Sequence, residues 1–382
     1  MAKDRTPQRV RGSTRIGAVG GYTLKVIRES TGRTQGALAE LLGIDLATIQ
    51  GWESGRRPLH SLRSVDLSGI RAALVDIGAE PYAFDVLRDA IDADVMLTSI
   101  ISERDFDIDR SPHPLSLCVS QRDFVNLVTW PFSGVIPIRL RDVAQQSRAT
   151  RRGPTPDRPV LARAEQESFF DNLLSTVQRV HTTTTRREDD SIRLLHRQAI
   201  YLLGFDPRPS TQDWLADHRR ACMKRSTGDA DLTSWTLTRS AAVALAKNGN
   251  MEPLEHFVSR GLVTDAKEQA NLRYWAYWIG EMRTLQRNDG FMVATADDHA
   301  WSGDALFEHL LGRLWADIDH LPLNAHTLSS LMLARPHIIS RRPDLSERAN
   351  TQLVALLDTA TMPPSARREL TNVLYGIRLA AR

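Results

Sequence analysis

The stretch that decides the fold is residues 34–58, TQGALAELLGIDLATIQGWESGRRP. Thr34 is a helix-capping type of residue, because its hydroxyl accepts a bond from a free N–H of the first turn. Gly43 can end that helix in a left-handed conformation, and Asp45 can begin the next one. Apolar residues recur at helical spacing in both segments: Ala37, Leu38, Leu41, Leu42, Leu46, Ile49 and Trp52. The stretch therefore predicts two short helices joined by a sharp turn.

A further helix is predicted just before this pair, over Tyr22–Ser30, and Gly32 breaks it. Ala39 is small enough to let the two later helices approach each other at the turn. Ala37, Leu38, Leu41 and Leu42 are expected to face inward. Leu38, Leu42, Ile49 and Trp52 are expected to hold the third helix across the second. This packing leaves one face of the third helix free, and the residues on it are Leu46, Ala47, Gln50 and Gly51.

The segment closely resembles the helix-turn-helix of the Cro/CI (XRE) family of bacterial and phage repressors. The features that match are Thr34-Gln35, Leu38-Ala39, Gly43, Thr48-Ile49, Trp52-Glu53 and Gly55-Arg56-Arg57-Pro58. The resemblance covers about residues 22–75, roughly a seventh of the chain. It implies binding to double-stranded DNA with a recognition helix at about 45–53 in the major groove.

The resemblance also implies which residues contact DNA. They are Gln35, Leu46, Ala47, Thr48, Gln50, Gly51, Arg56 and Arg57. Gln50 is expected to bond adenine, Leu46 or Ala47 a thymine methyl, and Gln35, Arg56 and Arg57 the phosphates. Gly51 departs from the long polar residue often found at its position, which favours readout of DNA shape. The likeness makes Glu53 a structural acid, and Arg28 and Arg33 are expected to add to the positive field.

Charge is distributed unevenly along the chain. Residues 1–64 hold eleven Lys or Arg against five Asp or Glu, so they carry +6 of a chain whose total is +3. A basic segment attached to a mildly acidic body is typical of a module that binds a polyanion. Residues 1–20 are interpreted as a flexible basic arm, and residues 21–75 as the DNA-binding domain.

The middle of the chain is less regular. We interpret 76–143 as an intermediate region. Over residues 59–143 the sequence predicts helices at Leu67–Ile77, Ala83–Ile101 and Ser120–Val128, and short strands at Leu115–Val119 and Val135–Leu140. Residues 144–163 are rich in arginine, proline and glutamine. Like charges extend a chain, so this segment is predicted to be a linker.

Residues 164–382 are predicted to be a helical sensor and dimerisation domain. Its amphipathic stretches are Glu165–His181, Asp190–Leu203, Thr211–Ser226, Leu232–Lys247, Glu252–Gly261, Asp265–Arg287, Asp304–Ile318, Asn324–Ala334, Ser346–Ala360 and Pro364–Leu379. Helices of this length with short connectors favour stacked pairs, as in a solenoid or a tetratricopeptide-like domain. The fold class expected for the whole chain is mainly α: a helix-turn-helix bundle followed by this helical domain.

Several function classes are disfavoured. No phosphate-binding loop, nucleophile elbow or zinc-protease motif occurs, so we expect no enzyme activity, no cofactor and no metal. Asp297-Asp298-His299 is interpreted as a solvated turn. Tyr274–Trp278 is the densest aromatic cluster, and core packing is favoured there over a ligand pocket. The composition shows neither a signal sequence nor a membrane span, which favours a bacterial cytoplasmic protein.

The leading hypothesis is a sequence-specific transcriptional regulator that binds DNA as a homodimer, since twofold proteins match palindromic half-sites. A small-molecule or protein effector would act at the C-terminal helical domain. The alternative is a scaffold that binds a protein partner along its stacked helices and contacts DNA only secondarily.

Overall fold

The computed structural model describes residues 17–102, 112–150, 156–183, 190–225, 232–294, 301–316 and 320–380. This part of the chain contains nineteen α-helices and no β-strand. The prediction of a mainly α protein, with an N-terminal helix-turn-helix followed by a helical region, is confirmed.

The first eight helices are α1 (Ala18–Ser30), α2 (Gln35–Leu42), α3 (Leu46–Glu53), α4 (Ser64–Asp76), α5 (Tyr82–Ser102), α6 (Pro114–Leu117), α7 (Arg122–Ser133) and α8 (Arg141–Thr150). The others are α9 (Arg163–Thr183), α10 (Asp190–Leu203), α11 (Pro209–Arg225), α12 (Leu232–Ala246), α13 (Glu252–Gly261), α14 (Asp265–Trp278), α15 (Asp304–Ala316), α16 (Leu321–Ala334), α17 (Ile338–Arg341), α18 (Pro343–Thr359) and α19 (Pro364–Ala380). The chain forms two compact units. The first comprises Met1–Arg104 and Asp123–Phe169, and the second comprises Asp105–Arg122 and Phe170–Arg382.

Helix α1 is the centre of the first unit and packs against α3, α5 and α8. All its residues from Ala18 to Leu24 are buried. Gly21 permits the approach of α3, because a Cβ at this position would lie 2.1 Å from the backbone oxygen of Trp52. Residues 17–20, which composition assigns to a flexible arm, are instead the capping residue and the first turn of this buried helix. The rest of that arm, residues 1–16, lies outside the described residues.

The two predicted strands are wrong. Pro114–Leu117 is helix α6, where the His113 ring accepts a bond from the Leu115 N–H, and Ile138–Leu140 is a single 3-10 turn. Proline starts the first of these elements and directly precedes the second, a position that suits helical turns. Short apolar runs are ambiguous between strand and buried helix, and within the described chain neither run has a strand to pair with.

Part of the predicted linker is also helical. Helix α8 buries Val143, Ala144 and Ser147 at helical spacing, and it packs against α1. The Ser147 hydroxyl donates to the Glu29 carboxylate at 2.8 Å. Arginine, proline and glutamine dominate the composition of 144–163, but a narrow buried face is enough to hold a helix in place at its start.

In the second unit, helices that are close in sequence pack together. Helix α12 contacts α10, α11 and α13, and the almost fully buried α16 contacts α13, α14, α15 and α19. The predicted stretch Asp265–Arg287 is too long: α14 ends at Trp278, because Gly280 takes a φ of 83° and the Glu281 N–H bonds back to Ala276. A repeating helical unit remains a prediction.

Candidate nucleic-acid interface

The turn between α2 and α3 has the predicted geometry. The Thr34 hydroxyl accepts the Ala37 N–H at 3.1 Å, and Gly43 is left-handed with φ 65°. Leu38 and Ile49 are fully buried between the helices. Asp45 occupies the capping position of α3, although its side chain makes no capping bond. Leu41, predicted to face inward, is instead 46% exposed.

The outer face of α3 is open to solvent. Leu46 is 45% exposed, and Ala47 and Gln50 are also exposed. Ile49 and Trp52 are buried on the opposite side. The structure thus separates an inward apolar face from an outward face that carries one apolar, one small and one amide side chain.

Gly51 does not lie on this free face. It is buried, and the Arg57 side chain covers it: a Cβ at position 51 would lie 3.0 Å from Arg57 Cδ. The Arg57 N–H donates to the Gly51 carbonyl at 2.9 Å, and Arg57 Nη1 donates to the Thr48 hydroxyl at 2.9 Å. The glycine makes room for an arginine that runs back along the helix and joins Thr48.

A network of side-chain hydrogen bonds, centred on the buried Glu53, joins α1, α2 and α3. Arg28 Nε and Nη2 donate to the two Glu53 oxygens at 2.5 and 2.9 Å. Gln35 Nε2 donates to the same carboxylate at 2.7 Å. Glu53 is therefore a partner inside the domain, as the resemblance implied. Arg28 is buried and paired, so the expectation that it adds to an external positive field is wrong.

Gln35 is half-exposed at the start of α2. Its bond to Glu53 uses one amide hydrogen and leaves the second hydrogen and the carbonyl oxygen for another partner. Arg33, Arg56 and Arg57 are exposed around the helix pair. Exposed guanidinium groups beside a helix N-terminus form a surface suited to phosphate oxygens.

Asp94 supports this domain from α5 and was not found by sequence reasoning. Its carboxylate accepts the Val19 N–H at 2.9 Å and the Gly20 N–H at 2.7 Å, at the first turn of α1. Burial raises the pKa of Asp94 to about 7, although the two backbone bonds act in the opposite direction. The residue lies more than seventy positions from its partners, so no local pattern marks it.

Comparison with protein families identifies a domain within the first unit. Residues 21–67 match a family model described as a helix-turn-helix domain. The chain carries a helix-turn-helix DNA-binding domain. The match contains α2, the turn and α3 complete. Comparisons with curated proteins and with solved structures gave no match.

Two further searches bear on other function classes. No helix in the described ranges has the length and apolar character needed to span a membrane. Over the same ranges, no cluster of three or more His, Cys, Asp or Glu side chains has an arrangement that would hold a metal ion. The Asp297-Asp298-His299 segment lies outside the described residues.

Proposed function

We propose that the chain is a sequence-specific transcriptional regulator of the Cro/CI (XRE) type, in which α3 enters the major groove. One observation carries the proposal: within a helix-turn-helix domain, the exposed face of α3 presents Leu46, Ala47 and Gln50 while Arg56 and Arg57 follow directly. An α-helix fits the major groove, and its outward side chains then reach base edges.

Each side chain has a role set by its chemistry. The Gln50 amide can both donate to and accept from adenine, and Leu46 and Ala47 can contact a thymine methyl. Thr48 acts through its bond to Arg57, whose remaining donors bind phosphate. Because Gly51 contributes no side chain, few bases are read directly, and the deformability of the site supplies the rest.

The phosphate contacts come from both helices. Gln35, oriented by Glu53, donates its second amide hydrogen to a phosphate near the N-terminus of α2. Arg56 binds the backbone beyond α3. Such contacts fix the register of the domain on DNA and carry most of its salt dependence.

The remaining parts of the proposal concern the whole molecule. It acts as a homodimer, because one short helix reads only a few base pairs and a twofold arrangement doubles the site. The helical second unit receives an effector and has no catalytic role. The protein works in the bacterial cytoplasm.

The experiment is a selection of random-sequence duplexes by the purified full chain at about 150 mM salt, where weak polyanion binding is suppressed. We expect enrichment of one short palindrome. Gln50→Ala should cost about 1–3 kcal/mol on that site and relax preference at one base pair. Arg56→Ala should weaken all sequences alike and lower the slope of log K against log salt by about one.

Arg348→Ala is the matched control, since it removes an exposed arginine of the second unit that pairs with Glu308. It should bind the selected duplex like the wild type. If Gln50→Ala left every base preference intact, the reading face would be assigned wrongly. Recovery of no sequence above background, together with stoichiometric capture of one protein, would favour the partner-binding scaffold.

A further inference from the structure

Two buried arginines in the second unit face the same aromatic ring. Arg197 on α10 and Arg239 on α12 are 4% and 6% exposed. Their guanidinium carbons lie 5.5 and 4.2 Å from the centre of the Tyr274 ring on α14. Arg239 also lies 5.7 Å from the centre of the Trp275 ring. The structure thus brings two cations to one side of the aromatic cluster Tyr274–Trp278.

The cations outnumber the anions around them. Asp289 Oδ2 accepts from Arg197 Nε at 2.7 Å, and no carboxylate in the described part of the chain pairs with Arg239. Within the described ranges, Arg197 Nη2, Arg239 Nε and Asp289 Oδ1 are buried without a hydrogen-bond partner. Arginine stays protonated in proteins, so among these residues one buried positive charge has no carboxylate to balance it.

The pKa shifts agree with this imbalance. Burial lowers the pKa of Arg239 and the charge of Arg197 adds to this, while the interaction with the Tyr274 hydroxyl acts in the opposite direction without outweighing burial. Burial also acts to lower the pKa of Arg197, but the Asp289 carboxylate raises it above its ordinary value. Of the two guanidiniums, only the one beside Asp289 has its charge stabilised by a carboxylate.

The cluster reaches the surface at one edge. Trp278 stacks on Tyr274 at 6.1 Å and meets Tyr201 edge-on at 5.4 Å between ring centres. Tyr201, Trp278 and Asp289 are half-buried, whereas Tyr274 is buried. Among the described residues, Trp275 Nε1 has no hydrogen-bond partner. Buried donors without a partner, beside half-buried aromatic rings, are groups that a small polar ligand would satisfy.

We propose that α10, α12 and α14 bind a small organic oxyanion, a carboxylate or a phosphate ester. Its charge pairs with Arg239 and with the unused Nη2 of Arg197, and its body contacts the Tyr274–Trp278 cluster. Guanidinium groups recognise both anions through paired N–H donors. The proposal names a ligand class for the effector role proposed above, and its test does not depend on DNA binding.

The first experiment follows thermal unfolding of the full chain with benzoate or phenyl phosphate, at constant ionic strength with chloride as the only other anion. Benzamide and phenol are the neutral controls of similar shape. We expect the Tm to rise by about 3–6 °C at about ten times Kd. Benzoate alone, phenyl phosphate alone, or both would identify a carboxylate site, a phosphate site or a general oxyanion site. The proposal is overturned if neither anion raises the Tm more than its neutral control.

The second experiment repeats the titration on Arg239→Met, which keeps an unbranched apolar stem and removes the guanidinium group with its charge. The anion effect should be lost, while the Tm without anion should equal or exceed that of the wild type, because an uncompensated buried charge is gone. Arg335→Met is the control, since Arg335 lies 4.9 Å over the Trp301 ring in the same unit. It should keep the full anion response. If Arg239→Met responded like the wild type, the site would be refuted.

The anion-site proposal and the DNA-binding proposal can be refuted independently of each other. Without anion, Arg239→Met should select the same duplexes as the wild type. Loss of the anion site would then leave the DNA-binding proposal standing, and a chain that selects no DNA would still show the anion response.

Discussion

Arg28 in the first unit and Arg239 in the second are both buried, yet their surroundings differ in charge. Arg28 donates to both oxygens of Glu53 and to the Arg33 carbonyl. Arg239 has no carboxylate partner among the residues that the structure describes, and its Nε makes no bond. A buried cation whose donors are used stabilises the folded chain, whereas unused buried donors call for a further partner such as a bound anion.

The second unit also contains a cluster with the opposite charge imbalance, in which carboxylates outnumber the cation. His326 on α16 lies between two carboxylates, with Nε2 at 3.0 Å from Glu268 and Nδ1 at 3.4 Å from Glu369. Here the cation is optional, because histidine can lose its proton. The three clusters therefore make different predictions when a charge is removed by mutation or by pH.

The largest effect is expected for Arg28→Met. The change leaves the Glu53 carboxylate buried with only Gln35 as a side-chain donor, and breaking such a pair costs about 3–5 kcal/mol. Hydrogen exchange of peptides within residues 18–53 measures the loss, because this part of the first unit opens when the pair is broken.

The double variant Arg28→Met with Glu53→Gln tests the cause. Removing both charges should recover much of the loss, since no ion is then left buried. A double variant as unstable as Arg28→Met would show that packing of the arginine stem, and not its charge, holds α1 to α3. Arg239→Met offers the contrast, because the same substitution should not destabilise the second unit.

The next largest effect is a dependence of the free energy of unfolding on pH, caused by His326. Burial lowers its pKa, but the hydrogen bonds that the ring donates to the Glu268 and Glu369 carboxylates outweigh burial and raise the pKa from 6.5 to about 9. The contribution to stability is therefore full below pH 6.5 and is lost as the pH rises to about 9, with a magnitude of about 3 kcal/mol. Urea unfolding of the second unit at pH 6 and pH 9.5 measures it.

His326→Gln should flatten that difference between the two pH values, and His337→Gln at an exposed position should not. A wild-type protein equally stable at both pH values would mean that His326 is not charged when folded. The same three-helix contact includes Ser330, whose hydroxyl donates to Glu268.

Local chemistry made part of this structure predictable. Thr34 and Gly43 act within their own helix ends, so their capping roles follow from residue type alone. The inward positions Leu38, Ile49 and Trp52 follow from helical spacing. The exposure of Leu46, Ala47 and Gln50 could also be predicted, because the other side of α3 was already assigned to packing against α2.

The rest depends on contacts that no local pattern encodes. Arg28 meets Glu53 across 25 positions, so an arginine that composition places in an external field is buried. Arg57 covers Gly51 because the chain turns back after α3. Arg197 and Arg239 are ordinary polar positions of amphipathic helices until α14 brings Tyr274 beside both of them.

The smallest effect is expected for Asp94, a buried carboxyl group that has no cation partner among the described residues and is held by helix N–H groups instead. Asp94→Asn keeps the shape but leaves one of the Val19 and Gly20 N–H groups without an acceptor. The loss should be about 1–2 kcal/mol at pH 5. Hydrogen exchange at the start of α1 measures it, with the exposed Asp85→Asn on the same helix as the control.

The pH dependence of this loss of stability tests whether the folded protein favours the neutral or the ionised form of the Asp94 carboxyl group. Because the folded pKa of Asp94 lies near 7, above the unfolded 3.8, the wild type loses stability as the pH rises through that window. The variant has no such group, so its deficit should shrink between pH 5 and pH 8. A deficit that grew with pH would mean that the N-terminus of α1 holds the ionised carboxylate better than water does, and Asp94 would then resemble the fully paired Glu53.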